Sequence, residues 1–442
     1  MQGRRKATGF AVLVVVVAAA AACTQPTPPA SVTQRVDVAT TGAQANGSTL
    51  FTPAPSLSDD GRYVAFQSDA SNLVPGDANG ATDVFVRDRR TGTTTLVSVA
   101  TGGGSGAGPS RGPSISGDGR YVVFDSGAPD LVTGDTNGTY DAFVRDLVAG
   151  TTTLISVDSS GARPSGASFE TWGSAISDDG SRALFETYQS LEPGDTNGQR
   201  DVYLWDRTTG TSSRVSVGPG GAQIAGYSQQ GAISGDGRVV AFETDTDGVV
   251  PADTDGVSDI FVHDLTTGVV DQASLTSTGG QPDVGTTQAA LSDDGRYVVF
   301  GAFDGNLVPG DTDSGYDVFR RDRVAGTTTM VSVDTSGANV TGYSYSSASG
   351  ISDDGRRIAF YTYGGTVPDA NGYGADVFLR DVTAGTTTRL SVGPGNVGGD
   401  ADSSVPGISG NGRVIGFWSA ATNLVAGDTN GVNDVFVRAL AN

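Results

Sequence analysis

From residue 55 to residue 99 the apolar positions come in short blocks, and none repeats at helical spacing with capping signals around it. No substantial helix is expected there. Tyr63 and Ala65 point to one side of an extended segment, Val64 and Phe66 to the other. A strand apolar on both sides belongs to a sheet that is covered on both faces. Four strands are predicted, over residues 55–58, 62–67, 83–88 and 93–99, rich in Val, Phe, Tyr and Thr. Asp59-Asp60-Gly61 supplies one tight turn, because Gly accepts positive φ and Asp bonds its own backbone; Thr91-Gly92 supplies another.

The block recurs to the end of the chain. Its turn glycine stands at Gly61, Gly119, Gly180, Gly237, Gly295, Gly355 and Gly412. A second landmark, the acid that opens the third strand, follows each time: Asp83, Asp141, Asp201, Asp259, Asp317, Asp376 and Asp434. A repeat of this length signals a solenoid or a propeller. Four strands per unit, covered on both faces, predict an all-β fold, a seven-bladed β-propeller of four-stranded antiparallel blades. The last unit stops after its third strand, and residues 33–40 resemble a fourth strand. That N-terminal strand is expected to complete the last blade and close the ring, which spans residues 33–442.

Residues 1–22 read as a signal peptide: Arg4, Arg5 and Lys6, an uncharged apolar run, then Ala20-Ala21-Ala22 before Cys23. Small residues ending in Cys resemble a bacterial lipobox, which implies lipidation at Cys23 and a Pro-containing tether over residues 23–32. The expected address is the cell envelope, as a membrane-anchored lipoprotein, periplasmic or cell-surface. Cys23 is the only cysteine, so packing alone must hold the fold. The formal net charge is −22, and Lys6 is the only lysine. Nucleic acid and anionic lipid surfaces are poor partners for such a chain. A monomer is expected.

The acid is concentrated in the loop before each third strand. Its pattern, GDxNGxxD, gives Asp77, Asn79 and Asp83; Asp135, Asn137 and Asp141; and Asp195, Asn197 and Asp201. It continues with Asp253, Asp255 and Asp259; Asp311, Asp313 and Asp317; Asp369, Asn371 and Asp376; and Asp428, Asn430 and Asp434. Oxygen side chains one residue apart, a Gly for the bend and a further acid form the kind of loop that holds Ca2+. The spacing resembles the calcium loops of integrin-type propeller repeats. The same residues also make an Asx turn that launches the strand with no metal. These loops share a face with the blade-to-blade connections, so one face of the ring is acidic. That face is the candidate binding surface, for an envelope protein or a cationic or calcium-bridged ligand.

No catalytic constellation stands out. His263, the only histidine, falls in a third-strand slot that other units fill with Arg87, Arg145, Arg321, Arg380 and Arg438. No GxSxG elbow is present, and one His with one Cys makes neither a nucleophile pair nor a multi-His metal centre. The chain is therefore read as a non-enzymatic binding or scaffolding module. The alternative is a propeller hydrolase or lyase acting through Asp residues of the acidic face. It would need one blade that departs from the rest, and the third, with Glu186, Tyr188 and Glu192, and the sixth, around Tyr373-Gly374, are the candidates. Residues 58–66, SDDGRYVAF, resemble the SPDGK-x-I-A-F core of TolB-like (WD-like) β-propeller repeats, and the Asp-Val-Phe-Val strand and Thr-Gly turn fall where that family has its third strand and turn. The resemblance implies the propeller fold. It departs at Asp59, Gly117 and Asp178, where the family carries Pro.

Overall fold

The computed structural model describes residues 31–49, 54–163, 172–303, 307–311, 315–340, 343–345, 350–363, 372 and 374–441. The leader, Cys23 and most of the tether lie outside them, as do Asp313, Asp369 and Asn371. Seven four-stranded antiparallel sheets form a ring of blades. Blade 1 is built from Ser56–Leu57, Tyr63–Ser68, Asp83–Asp88 and Thr93–Leu96, paired in chain order. Blades 2 to 6 repeat that order through Ser110–Ile115 to Thr151–Leu154, Trp172–Ile176 to Thr211–Arg214, Ser228–Ile233 to Val269–Gln272, Thr286–Leu291 to Thr327–Met330 and Tyr343–Tyr345 to Thr386–Arg389. Blade 7 takes Ser403–Ile408, Val414–Ser419 and Asp434–Ala439 from the end of the chain and Val32–Arg35 from its start. Val32 faces Ala439 and Arg35 faces Phe436, so the ring is closed as the sequence predicts.

The fourth strands are shorter than expected, and the reason is local. In blade 1 the backbone ladder ends at Leu96; the Val97 N–H still reaches the Val84 carbonyl at 2.8 Å. Ser98 then turns its side chain inward, donating to Asp83 at 2.6 Å and accepting the Val84 N–H at 3.2 Å. Beyond it the chain leaves the sheet through a bridge between Val99 and Ser105, because it must cross to the next blade. The closing strand does the same. Val36 bonds the Val435 carbonyl at 2.7 Å, and Val38 bridges Gln44.

The core lies between blades. Of seven buried apolar clusters, one joins Val36, Leu57, Phe66 and Phe85 to Val414, Val435 and Val437, across the seam between blades 1 and 7. The others fill the remaining six seams. Within each blade an aromatic pair sits directly opposite on the second and third strands, such as Phe66 with Phe85 at 5.7 Å and Phe417 with Phe436 at 6.1 Å between ring centroids. Such stacked cross-strand pairs add about 0.5–1.5 kcal/mol each beyond area burial. No helix among the described residues is long and apolar enough to cross a membrane.

Candidate functional site

The first strands of six blades, with Ile351, Asp353 and Tyr361 of blade 6, line an axial channel of about 720 Å3. At the end formed by the DGR turns, backbone hydrogen bonds run around the axis from blade to blade. Asp59 donates to Gly117, Asp118 to Asp178, Asp178 to Gly235, Asp236 to Asp293, Asp293 to Asp353, Asp353 to Gly410 and Asn411 to Asp59, at 2.9–3.2 Å. Asp59, Asp178, Asp293 and Asp353 hold their side chains at this end, and the glycines between them leave room. A Cβ on Gly235 would lie 2.2 Å from an Asp178 carboxylate oxygen and 2.5 Å from one of Asp293. These are the positions where the TolB-like pattern has Pro. Burial, followed by the neighbouring carboxylates, pushes Asp178 and Asp353 up to about 7.

The other end opens on the face that carries the acidic loops. Here the blades stop being equivalent. The residue after the second-strand aromatic is Gln67, Asp125, Glu186, Glu243, Gly301, Tyr361 and Trp418 in turn. Several of these clamp the next blade, whose first strand bulges into positive φ at Gly112, Gln230, Gln288 and Val405. Gln67 accepts the Gly112 N–H at 2.9 Å, and Glu186 accepts that of Gly231 at 3.0 Å. Glu186 also lies 3.7 Å from Arg200, and burial, offset by that guanidinium and by backbone N–H groups, raises it to about 7. Gln229 donates to Glu243 at 2.9 Å, and the Arg111 guanidinium lies 4.0 Å above the Tyr140 ring.

On blades 5 and 6 an aromatic cluster meets the channel through Tyr361. Tyr316 stacks on Tyr345 at 4.6 Å, and Tyr345 on Tyr361 at 5.3 Å. Phe303 and Tyr363 flank them edge-on, 51% and 45% exposed. Part of the mouth is thus charged and amide-rich, and part is an aromatic wall with an open rim. Sequence reasoning singled out Glu186 and Tyr188 but missed the wall. Its signal was available: Gly301 and Tyr361 break a polar column at the same repeat position.

The described loop residues of the GDxNGxxD pattern are brought together blade by blade, and none of them lines the channel. In blade 1 Asn79 closes an Asx turn by accepting the Ala81 N–H at 2.9 Å and donates its amide to Asp83 at 2.8 Å. Asn137 and Asn430 donate likewise to Asp141 and Asp434, at 2.7 and 2.8 Å, and Asn197 to Asp201 at 3.5 Å. In blade 3 Arg214 enters the same socket, 3.7 Å from Asp195 and 3.6 Å from Asp201. Arg389 bonds Asp376 in blade 6, and in blade 7 Arg35 lies 3.3 Å from Asp428 and 3.6 Å from Asp434. In blade 5 Asn339 donates to Asp311 at 3.3 Å, and Ser332 to Asp317 at 2.5 Å. In blade 4 Asp253 accepts the Val249 N–H at 3.2 Å, Asp255 that of Val257 at 3.3 Å, and Asp259 the Ser274 hydroxyl at 2.5 Å.

His263 hydrogen-bonds the Val215 carbonyl through Nδ1 at 3.0 Å. Arg87 and Arg321 use the same slot for carbonyls of the preceding connection, at Val38 and Thr276. The partner of Asp88 is Arg62, in a two-point contact, not the adjacent Arg87. The same pairing joins Arg120 to Asp146 and Arg296 to Asp322.

No protein-family model and no curated protein matches the chain. Among solved structures, it is similar to oligogalacturonate lyase from Vibrio parahaemolyticus, with a TM-score of 0.53 at 13% identity over 93% of this chain and 97% of that one. The β-propeller domain of the trilobed protease from Pyrococcus furiosus, which has an open velcro topology, gives 0.52 at 10% identity over 89% and 94%. A putative TolB from Agrobacterium tumefaciens gives 0.41 at 16% identity over 79% and 95%. At these identities the likeness reaches the fold alone. The chain itself is a closed seven-bladed β-propeller.

Proposed function

We propose that this chain is an exported, lipid-anchored propeller that binds a partner protein at the cell envelope by admitting a cationic side chain into the mouth of its axial channel. The observation that carries the reading is asymmetry. Blades repeat the same turns and the same strand core, yet the mouth sets an aromatic wall at Phe303, Tyr316, Tyr345, Tyr361 and Tyr363 beside Glu243 and Gln229. Aromatic faces next to a carboxylate attract ammonium and guanidinium groups. The strong negative charge of the chain steers such partners toward it. Export and anchoring rest on the basic, apolar and small-residue leader that ends at Cys23.

A hydrolase or lyase in the same channel is the second reading. Glu186, raised to about 7, suits acid–base chemistry. Its bond to the Gly231 N–H gives it a structural task instead, and this favours binding. Isothermal titration with Lys-rich, Arg-rich and Glu-rich peptides of equal length tests the proposal. Cationic peptides should bind, more weakly at high salt, and Tyr361→Ala and Tyr363→Ala should each weaken them by about tenfold. Equal binding of the acidic peptide, or no response to either substitution, refutes it.

A further inference from the structure

Blade 4 differs from blades 1, 2, 3, 6 and 7 in how it balances its loop carboxylates. In blades 1, 2, 3 and 7 the middle residue of the loop is an Asn, whose amide is donated to the strand Asp. In blades 3, 6 and 7 the fourth strand adds a guanidinium, from Arg214, Arg389 and Arg35. Blade 4 has neither. Its middle residue is Asp255, and the fourth-strand position holds Gln272, whose amide is donated to Gln281 at 2.6 Å. A fourth acid, Asp247, stands where blades 1, 2 and 7 carry Ser71, Pro129 and Thr422.

Carboxylate oxygens of Asp247, Asp253 and Asp255 lie within 4.8 Å of one another. Each residue is oriented by a backbone N–H: Gly256 donates to Asp247 at 2.8 Å, Val249 to Asp253 at 3.2 Å and Val257 to Asp255 at 3.3 Å. Asp255 Oδ2 is buried and has no hydrogen-bond partner. Behind it Asp259, 1% exposed, gives one oxygen to Ser274 at 2.5 Å and leaves Oδ2 buried and unpartnered. Burial raises that carboxyl, the Ser274 hydroxyl and the Gln272 side chain offset this in part, and the charges of Asp255 and Asp253 add to it. Among the described residues no Arg or His pairs with any of the four. Asp247 is exposed, Asp255 half-buried and Asp253 and Asp259 buried, and carboxylates converging this closely without a counter-charge are unfavourable unless a cation joins them.

We propose that blade 4 binds one hard divalent cation between Asp247, Asp253 and Asp255, with Asp259 behind them, in the place that an asparagine amide or an arginine guanidinium takes in other blades. All donors are oxygens, and two of the carboxylates come from a single turn, which suits Ca2+ with backbone carbonyls and water completing its shell. The site stands apart from the channel mouth and does not depend on the function proposed for it.

Ca2+ is the probe, titrated calorimetrically into chelator-stripped full chain, with melting curves in parallel. The wild type should bind one equivalent and melt several degrees higher with Ca2+. Asp255→Asn, which installs the residue of blades 1, 2, 3 and 7, should weaken Ca2+ at least tenfold while keeping the fold. Gln272→Arg, which installs the internal cation of blades 3, 6 and 7, should abolish the Ca2+ response and raise the melting temperature of the stripped protein. No binding by the wild type at millimolar Ca2+, or unchanged binding by both variants, overturns the proposal.

Discussion

Truncation of the chain to remove residues 32–38 lowers the melting temperature by about 10 °C or more, or leaves the protein aggregated. Three losses act together. The ladder of Val32–Arg35 on Asp434–Ala439 goes, which turns the third strand of blade 7 into an open edge. Val36, wholly buried against Val435 and Val437 in the seam with blade 1, is worth about 1.5–3 kcal/mol. Arg35 is the cation between Asp428 and Asp434, and breaking such a buried pair costs about 3–5 kcal/mol. Seven seams support one another only in a closed ring, so damage at one seam spreads to both neighbours. Differential scanning fluorimetry with light scattering reads the result. A truncated protein that melts with the parent shows that another contact closes the ring. Arg35→Leu separates the ionic part, and it should lose a smaller share than the truncation does.

Stability should rise as pH falls from 8 toward 5, against the usual habit of acidic proteins. Asp178 and Asp353 keep their protons up to about 7 in the folded ring, whereas the unfolded chain loses them near 4. Between those values the folded state binds more protons, so each group lowers stability as pH rises through the window. Each shift corresponds to about 4 kcal/mol at full strength, and to roughly 1–2 kcal/mol once the partial solvent exposure of both groups is allowed for. Below about 4 the direction reverses. Arg62, Arg120 and Arg296 hold Asp88, Asp146 and Asp322 below the ordinary range, Asp146 and Asp322 at about 2, and protonation of these carboxylates removes that support. The double variant Asp178→Asn, Asp353→Asn should melt higher than the parent at pH 8 and show a shallower slope from pH 8 to 5. A slope equal to the parent's removes the axial carboxylates as its source.

The blades and their number were legible because each depends on residues close in sequence. A turn such as Asp59-Asp60-Gly61 needs only its own backbone: Ser58 donates to Asp60 at 2.9 Å, and the Arg62 N–H does so at 2.8 Å. Even ring closure could be read, since residues 33–40 carry the pattern of the strand that the last unit lacks. What the loops do was only half legible. Sequence shows that Asp255 replaces an Asn, but not that Arg214, Arg389 and Arg35 swing into the same socket from the strand beyond.

The chain by itself determined a periodic, two-faced β pattern and therefore a ring of seven blades, because a repeat that cannot bury its own faces must stack on copies of itself. Only the tertiary structure decided which of some sixty-residue-distant positions meet at the axis. Curvature brings Asp59, Asp178, Asp293 and Asp353 into one electrostatic group, and Tyr316, Tyr345 and Tyr361 into one wall. Neither grouping has a local signature, since each member is an ordinary variant within its own repeat. Their chemistry exists only once the ring is shut.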